Sequence, residues 1–201
     1  MNKRLLGIVA SALMLASASW ALESPNTLPF KLEPAPKEVQ LRNGSFKVGP
    51  RTKIFVLLGH QSEDRIAAET LADEVEDQSG LKLDILGMNP GAKAEEGAIV
   101  LARLQDERVR RFLARNGLKA DEAVGEDGYL LFSDHSHLIV AANTGQGIFY
   151  GVQTLRQLLR PAGKGLVCPA LGIRDWPSLQ RADIAEDGSE LAHEGPAPAT
   201  K

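Results

Sequence analysis

Cysteine is all but absent: Cys168 is the only one in 201 residues, so no internal disulfide can form and packing must hold the fold. Aromatic residues make up only 5% of the chain, which leaves few platforms for stacking on sugars. Bases fall short of acids, 23 Lys and Arg against 26 Asp and Glu. That balance argues against nucleic acid as a partner, because phosphate binding draws on a clustered basic surplus. No apolar run is long enough to span a bilayer as a helix. Missing too are a nucleophile elbow, an H-E-x-x-H helix and any zinc-type Cys/His spacing. The lone thiol lies between Val167 and Pro169 in an apolar, strand-like stretch, and reads as a buried small hydrophobe rather than a reactive group.

What is present begins at the N-terminus. Lys3 and Arg4 precede the apolar run Leu5 to Leu15, and small residues follow, with Ser19 and Ala21 spaced as a signal peptidase requires. The expectation is a secretory leader over 1–21 and a periplasmic or secreted mature protein without a membrane anchor, with Ala18 as a second cleavage position. Cleavage removes two bases and no acid, deepening the formal charge from −3 to about −5.

Ser24 to Pro36 holds four prolines and reads as an extended lead-in over 22–36. Val39 and Leu41, then Phe46 and Val48, alternate around Asn43-Gly44 and predict a hairpin. Lys53 to Leu58 predicts a strand, and Ser62 an N-cap for a helix running to Ser79 and ended by Gly80. In that helix Ala67, Leu71 and Val75 form the buried stripe, with Asp73, Glu74, Glu76 and Asp77 facing water. Strands are predicted over Leu81 to Leu86 and Ala98 to Leu101, and a short helix around Val109, Phe112 and Leu113, before Asn116-Gly117. Tyr129 to Phe132 and Leu138 to Ala142 predict two strands joined by the polar turn Ser133 to Ser136. The clearest helix carries Ile148, Val152, Leu155 and Leu159 on one face and is stopped by Pro161. Leu191 to Lys201 is expected to be disordered. The pattern predicts an α+β fold: a single mixed sheet with helices packed mainly on one face.

Three groups of residues invite a chemical reading. Gly145-Gln146-Gly147 between a strand and a helix suggests a phosphate loop, but the next glycine, Gly151, comes one place late for a dinucleotide fingerprint. Glycines there are better explained by a sharp strand-to-helix turn and close helix–sheet packing. His135 and His137 would share a strand face as a metal pair, yet they sit in a turn without a third ligand. His60 and His193 read as exposed. Paired carboxylates occur at Asp73-Glu74, Asp106-Glu107, Asp121-Glu122 and Glu126-Asp127, and glycosidases work with such pairs. All four fall on helix faces or loops, where solvated surface is the expected role. No catalytic, cofactor-binding or metal-binding residue is assigned, and no cofactor is expected.

The string Glu126 to Leu131, then Ala142 to Gly145, then Gly147 to Leu159 (GIFYGVQTLRQLL) resembles the N-terminal domain of bacterial family 20 glycoside hydrolases, the β-N-acetylhexosaminidases. Leu32 to Glu38 is similar to that family's opening. Ile173-Arg174-Asp175-Trp176-Pro177 resembles its link into the catalytic barrel. Related accessory domains precede family 84 and family 67 barrels. The resemblance covers about residues 32–181 and implies a non-catalytic domain whose chemistry lies in a (β/α)8 barrel of about 250 residues placed after it. The family's Asp-Glu pair in its H.GGDE setting has no counterpart here. Arg181 falls where the family's sugar-holding arginine would, but Ala182 replaces the glycine that follows it.

The expected organisation is therefore a leader (1–21), a lead-in (22–36), a hexosaminidase-N-terminal-like domain (37–176) and a vestigial link (177–201). The expected function is that of an accessory domain truncated before its barrel, inactive alone. It would associate with a barrel-bearing glycoside hydrolase or with itself through an apolar patch including Phe149, Tyr150 or Trp176. The alternative is a stand-alone exported module binding amino sugars or cell-wall fragments.

Overall fold

Long apolar strands without alternation need cover on both faces, and that requirement organises the molecule. The computed structural model describes residues 30–93 and 95–178. The leader, residues 22–29, Arg181, His193 and the C-terminal tail lie outside the described residues. Elements run β1 (Glu38–Val48), β2 (Ile54–Leu57), α1 (Gln61–Ser79), β3 (Ile85–Met88), β4 (Ala98–Arg103), α2 (Glu107–Arg115), a 3-10 turn (Glu122–Val124), β5 (Tyr129–Ser133), β6 (His137–Ala142), α3 (Gly145–Leu158), β7 (Arg160–Ala162) and β8 (Gly165–Asp175).

All strands join one sheet in the order β1-β8-β5-β6-β4-β2-β3, with β7 on β8. From β3 through β2 and β4 to β6 the pairs are parallel. From β6 through β5 and β8 to β1 they are antiparallel. Every residue of β2 and β4 is buried. On one face Ile99 and Leu101 of β4 meet Ala67, Leu71 and Val75 of α1 and Ile148, Val152 and Leu155 of α3. On the other, Ala98, Val100 and Ala102 meet Leu113 of α2 with Leu118 and Val124. Two of the three α-helices among the described residues therefore share a face, in agreement with the α+β expectation.

Local differences from the sequence reading have physical causes. Residues 38–48 form one strand, not a hairpin, because β8 is long enough to pair with both halves. Asn43-Gly44 is absorbed as a bulge, where the register slips between Leu41↔Leu171 and Ser45↔Pro169, with Gly44 at φ 101. Helix α1 starts at Gln61 with His60 in the N-cap position, so Ser62 lies inside the first turn. Its end is as expected, with Gly80 left-handed at φ 72. The strand expected over Leu81 to Leu86 forms later, at Ile85–Met88. Glu74 is not solvated: its carboxylate accepts from Arg156 Nε of α3 at 2.6 Å. Helix α3, the hairpin of β5 and β6 and the burial of Cys168 follow expectation, and burial pushes the thiol up to about 12. No helix among the described residues is long and apolar enough to cross a membrane.

Candidate docking site

The string that carries the resemblance consists largely of residues that seat α3 on the sheet. Thr144 caps the helix, its Oγ1 accepting from Gly147 N at 3.2 Å and donating to Glu126 O at 3.1 Å. A Cβ on Gly147 would meet Ala142 Cβ and Gly128 O at 2.7 Å, and one on Gly151 would meet Val140 Cγ1 at 2.4 Å. Only glycine lets the helix lie this close. The Tyr129 hydroxyl hydrogen-bonds Thr154 Oγ1 at 2.7 Å, tying β5 to α3 in the buried layer, where burial raises the phenol's pKa. These glycines thus serve packing rather than phosphate binding.

The place where an open parallel sheet would offer a ligand crevice, beyond the C-terminal ends of its strands, is filled by the chain's own side chains. Arg103 closes β4, is 2% exposed, and donates from Nη2 to Asp64 Oδ1 at 2.6 Å and Glu63 Oε2 at 2.8 Å. Its Nη1 donates to Asn143 O at 3.2 Å. Asp64 is fully buried, and burial raises its pKa against the opposing pull of Arg103. Sequence reasoning passed over this pair, since a strand-end arginine reads as solvated.

The sequence-flagged groups are scattered. Asp106 caps α2, its Oδ1 accepting from Arg108 N at 2.9 Å and Val109 N at 3.3 Å. Asp121 takes both its oxygens to Arg174 Nη2 at 2.6 Å. Asp127 accepts from Thr144 Oγ1 at 3.2 Å. His137 faces Asp134 across their turn, with Nδ1 3.2 Å from Oδ1, while His135 is exposed. Asp134 would be raised by burial, but the Ser136 and His137 N–H groups, with the His137 ring, hold it below the usual range. No cluster of three metal-ligating side chains occurs among the described residues.

One cleft does gather the residues expected to meet a partner. Where β8 ends, Asp175-Trp176-Pro177 and the lead-in segment Glu33 to Lys37 face Tyr150, Gln153 and Gln157, one stripe of α3, around about 320 Å³. Gln157 holds the lead-in like a neighbouring strand, accepting from Glu33 N and donating to Glu33 O, both at 2.9 Å. Lys37 N donates to Asp175 Oδ1 at 3.1 Å. Arg174 donates from Nη1 to both carboxylate oxygens of Glu38 at 2.7 Å and stacks over Trp176, 5.6 Å from the ring centroid. Tyr150 is 41% exposed, while Phe149 is drawn against the core.

The family model for glycosyl hydrolase family 20, domain 2, matches residues 30–176. The chain belongs to this family. Its fold is similar to part of the family 20 β-N-acetylhexosaminidase of Streptomyces coelicolor A3(2), at TM-score 0.54 and 25% identity over 72% of this chain. It is also similar to the N-acetyl-β-hexosaminidase of Streptomyces plicatus, at 0.53 and 28% over the same share. The family 20 exo-β-N-acetylglucosaminidase of Vibrio harveyi shares the fold at 0.52 and 16% identity, over 74% of this chain and 19% of the enzyme. The matched region spans about a quarter of each Streptomyces enzyme, 26% of its length. The family match starts at residue 30, consistent with Leu32 being buried at 4% exposure and the lead-in being fastened to α3.

Proposed function

We propose that this chain supplies the non-catalytic accessory domain of a β-N-acetylhexosaminidase-type glycoside hydrolase, and that a catalytic barrel docks at the Tyr150–Trp176 cleft. The observation that carries the reading is the position of that cleft. It lies beside Asp175-Trp176-Pro177, the segment resembling the family's link, so a barrel would meet Tyr150 and the Gln153 stripe first. Two features add support. The paired carboxylates are spread over separate elements, with Asp106 in a cap, Glu74 and Asp121 in ion pairs and Asp127 accepting from the Thr144 hydroxyl. The strand-end crevice is occupied by Arg103 and Asp64.

The leader read over 1–21 supports placing this function in the periplasm or outside the cell. A docking cleft with an exposed tyrosine would also drive self-association of the separate domain. The expected result in sedimentation velocity is a concentration-dependent dimer, or a complex with a separately expressed family 20 barrel, that Tyr150→Glu weakens about tenfold or more. A clean monomer with no affinity for such a barrel would count against the docking role. The second reading, amino-sugar binding, draws on the same cleft, where Tyr150 and Trp176 stand beside amide and carboxylate groups. A flat titration with chitin oligosaccharides would remove it.

A further inference from the structure

Charge is not evenly spread over this acidic chain. Helix α2 carries Arg108, Arg110, Arg111 and Arg115 within nine residues, and Lys119 follows shortly after its end. Only Leu113 of the helix is fully buried, so all four guanidinium groups stand at the surface. Arg108, Arg111 and Arg115 fall at i, i+3 and i+7 and line one side of an open groove of about 600 Å³, with Pro90 and Gly91 opposite. Arg108 builds the groove, donating from Nη1 to Gly91 O at 2.6 Å. Two acids, Asp106 and Glu107, also line the groove, and Asp106 is committed to backbone: besides capping α2 it accepts from Gly91 N at 2.6 Å. Arg111 is only loosely matched by Glu107 at 3.6 Å, both about two-thirds exposed, a surface pair of little strength. Arg110, Arg115 and Lys119 have no side-chain partner among the described residues.

We infer that this α2 groove binds an anionic polysaccharide, one carrying carboxylate or sulfate groups along its chain. Planar guanidinium forks match such groups bidentately, which lysines would not. Arg108 and Arg115 lie about 10 Å apart along the helix axis, so the row reaches several anionic groups in succession rather than one small ion. A membrane surface fits less well. The large exposed apolar side chains are Leu41, Leu58, Ile66, Ile85, Leu86 and Tyr150, and none is on α2 to enter a bilayer. The choice of a glycan over other polyanions rests on the accessory-domain reading, and the groove would hold the enzyme on an acidic glycan matrix while the barrel works.

The test is fluorescence anisotropy of labelled heparin and polygalacturonate with the full chain. It compares wild type, Arg111→Glu/Arg115→Glu, Arg110→Glu/Lys119→Glu, and a charge-matched control, Lys82→Glu/Lys164→Glu, with thermal melts to verify folding. Binding by wild type is expected to weaken about twentyfold between 50 and 200 mM salt, as for three ionic contacts. Arg111→Glu/Arg115→Glu should lose about tenfold in affinity, while Arg110→Glu/Lys119→Glu, which lies off the groove, and the control should each lose less than about threefold. Equal loss in all three variants, or tighter binding to a DNA duplex or to phosphatidylglycerol vesicles than to either polysaccharide, would overturn the inference. Neither result bears on whether the chain hydrolyses an aryl glycoside, so the two readings fail separately.

Discussion

Arg103 and Asp64 pack as a charged pair where most domains would place apolar side chains, and this makes them sensitive to one-sided change. Removing Asp64 leaves the buried Arg103 guanidinium with only the exposed Glu63 as counter-charge, so Asp64→Ala should lower the unfolding free energy by about 2–4 kcal/mol in urea titration, near the low end for a broken buried pair. Replacing both, as Asp64→Leu with Arg103→Met, should recover most of that loss, and a double mutant no better than Asp64→Ala would contradict the account. Gly151→Ala is expected to cost about 1–3 kcal/mol, since the new methyl meets Val140 Cγ1 at 2.4 Å on a strand fixed from both faces. The sequence made the glycines legible, because their spacing between a strand and an amphipathic helix has a packing meaning. It could not reveal Arg103, whose burial depends on α1 and α3 closing over the end of β4.

Between elements, the contact of α1 with α3 is fastened by Glu74 and Arg156. The Gln78 amide, and next the Arg156 guanidinium, hold the Glu74 carboxyl below its ordinary 4.5. A depressed folded-state value contributes stability above the unfolded pKa, and that contribution is lost as pH falls through the lowered one. Glu74→Gln should therefore reduce the melting temperature by about 2–4 °C near pH 7. The gap from wild type should close as the pH is brought well below 4.5, and a gap that persists in acid would mean that packing, not charge, is being lost. Helix periodicity predicted both helices and their buried stripes, but placed Glu74 on the water side because a single helix does not show its neighbour. The Asn43-Gly44 pair misled for a related reason. A tight-turn dipeptide is a local signal, whereas β8 runs from Gly165 to Asp175 and holds Glu38–Val48 as one strand across the bulge.

At the scale of the molecule, a half-parallel, half-antiparallel sheet sets the chain's exit at the end of β8 beside the stripe Tyr150, Gln153 and Gln157 of α3. The sequence supplied the cleft's aromatic residues and the link motif, but not the lead-in held by Gln157 or the clamp of Arg174 on Glu38, Asp121 and Trp176. The hydrogen bonds among those contacts join residues more than fifty positions apart, beyond the reach of any periodic pattern. The central claim is that this domain docks and positions but does not hydrolyse. It is tested most directly by incubating the purified chain with the nitrophenyl glycoside of N-acetylglucosamine, beside an intact family 20 hexosaminidase. The account predicts no nitrophenol release above buffer from the chain alone. Release that persists through repurification, and that falls when Glu126 or Asp127 is replaced by its amide, would contradict it.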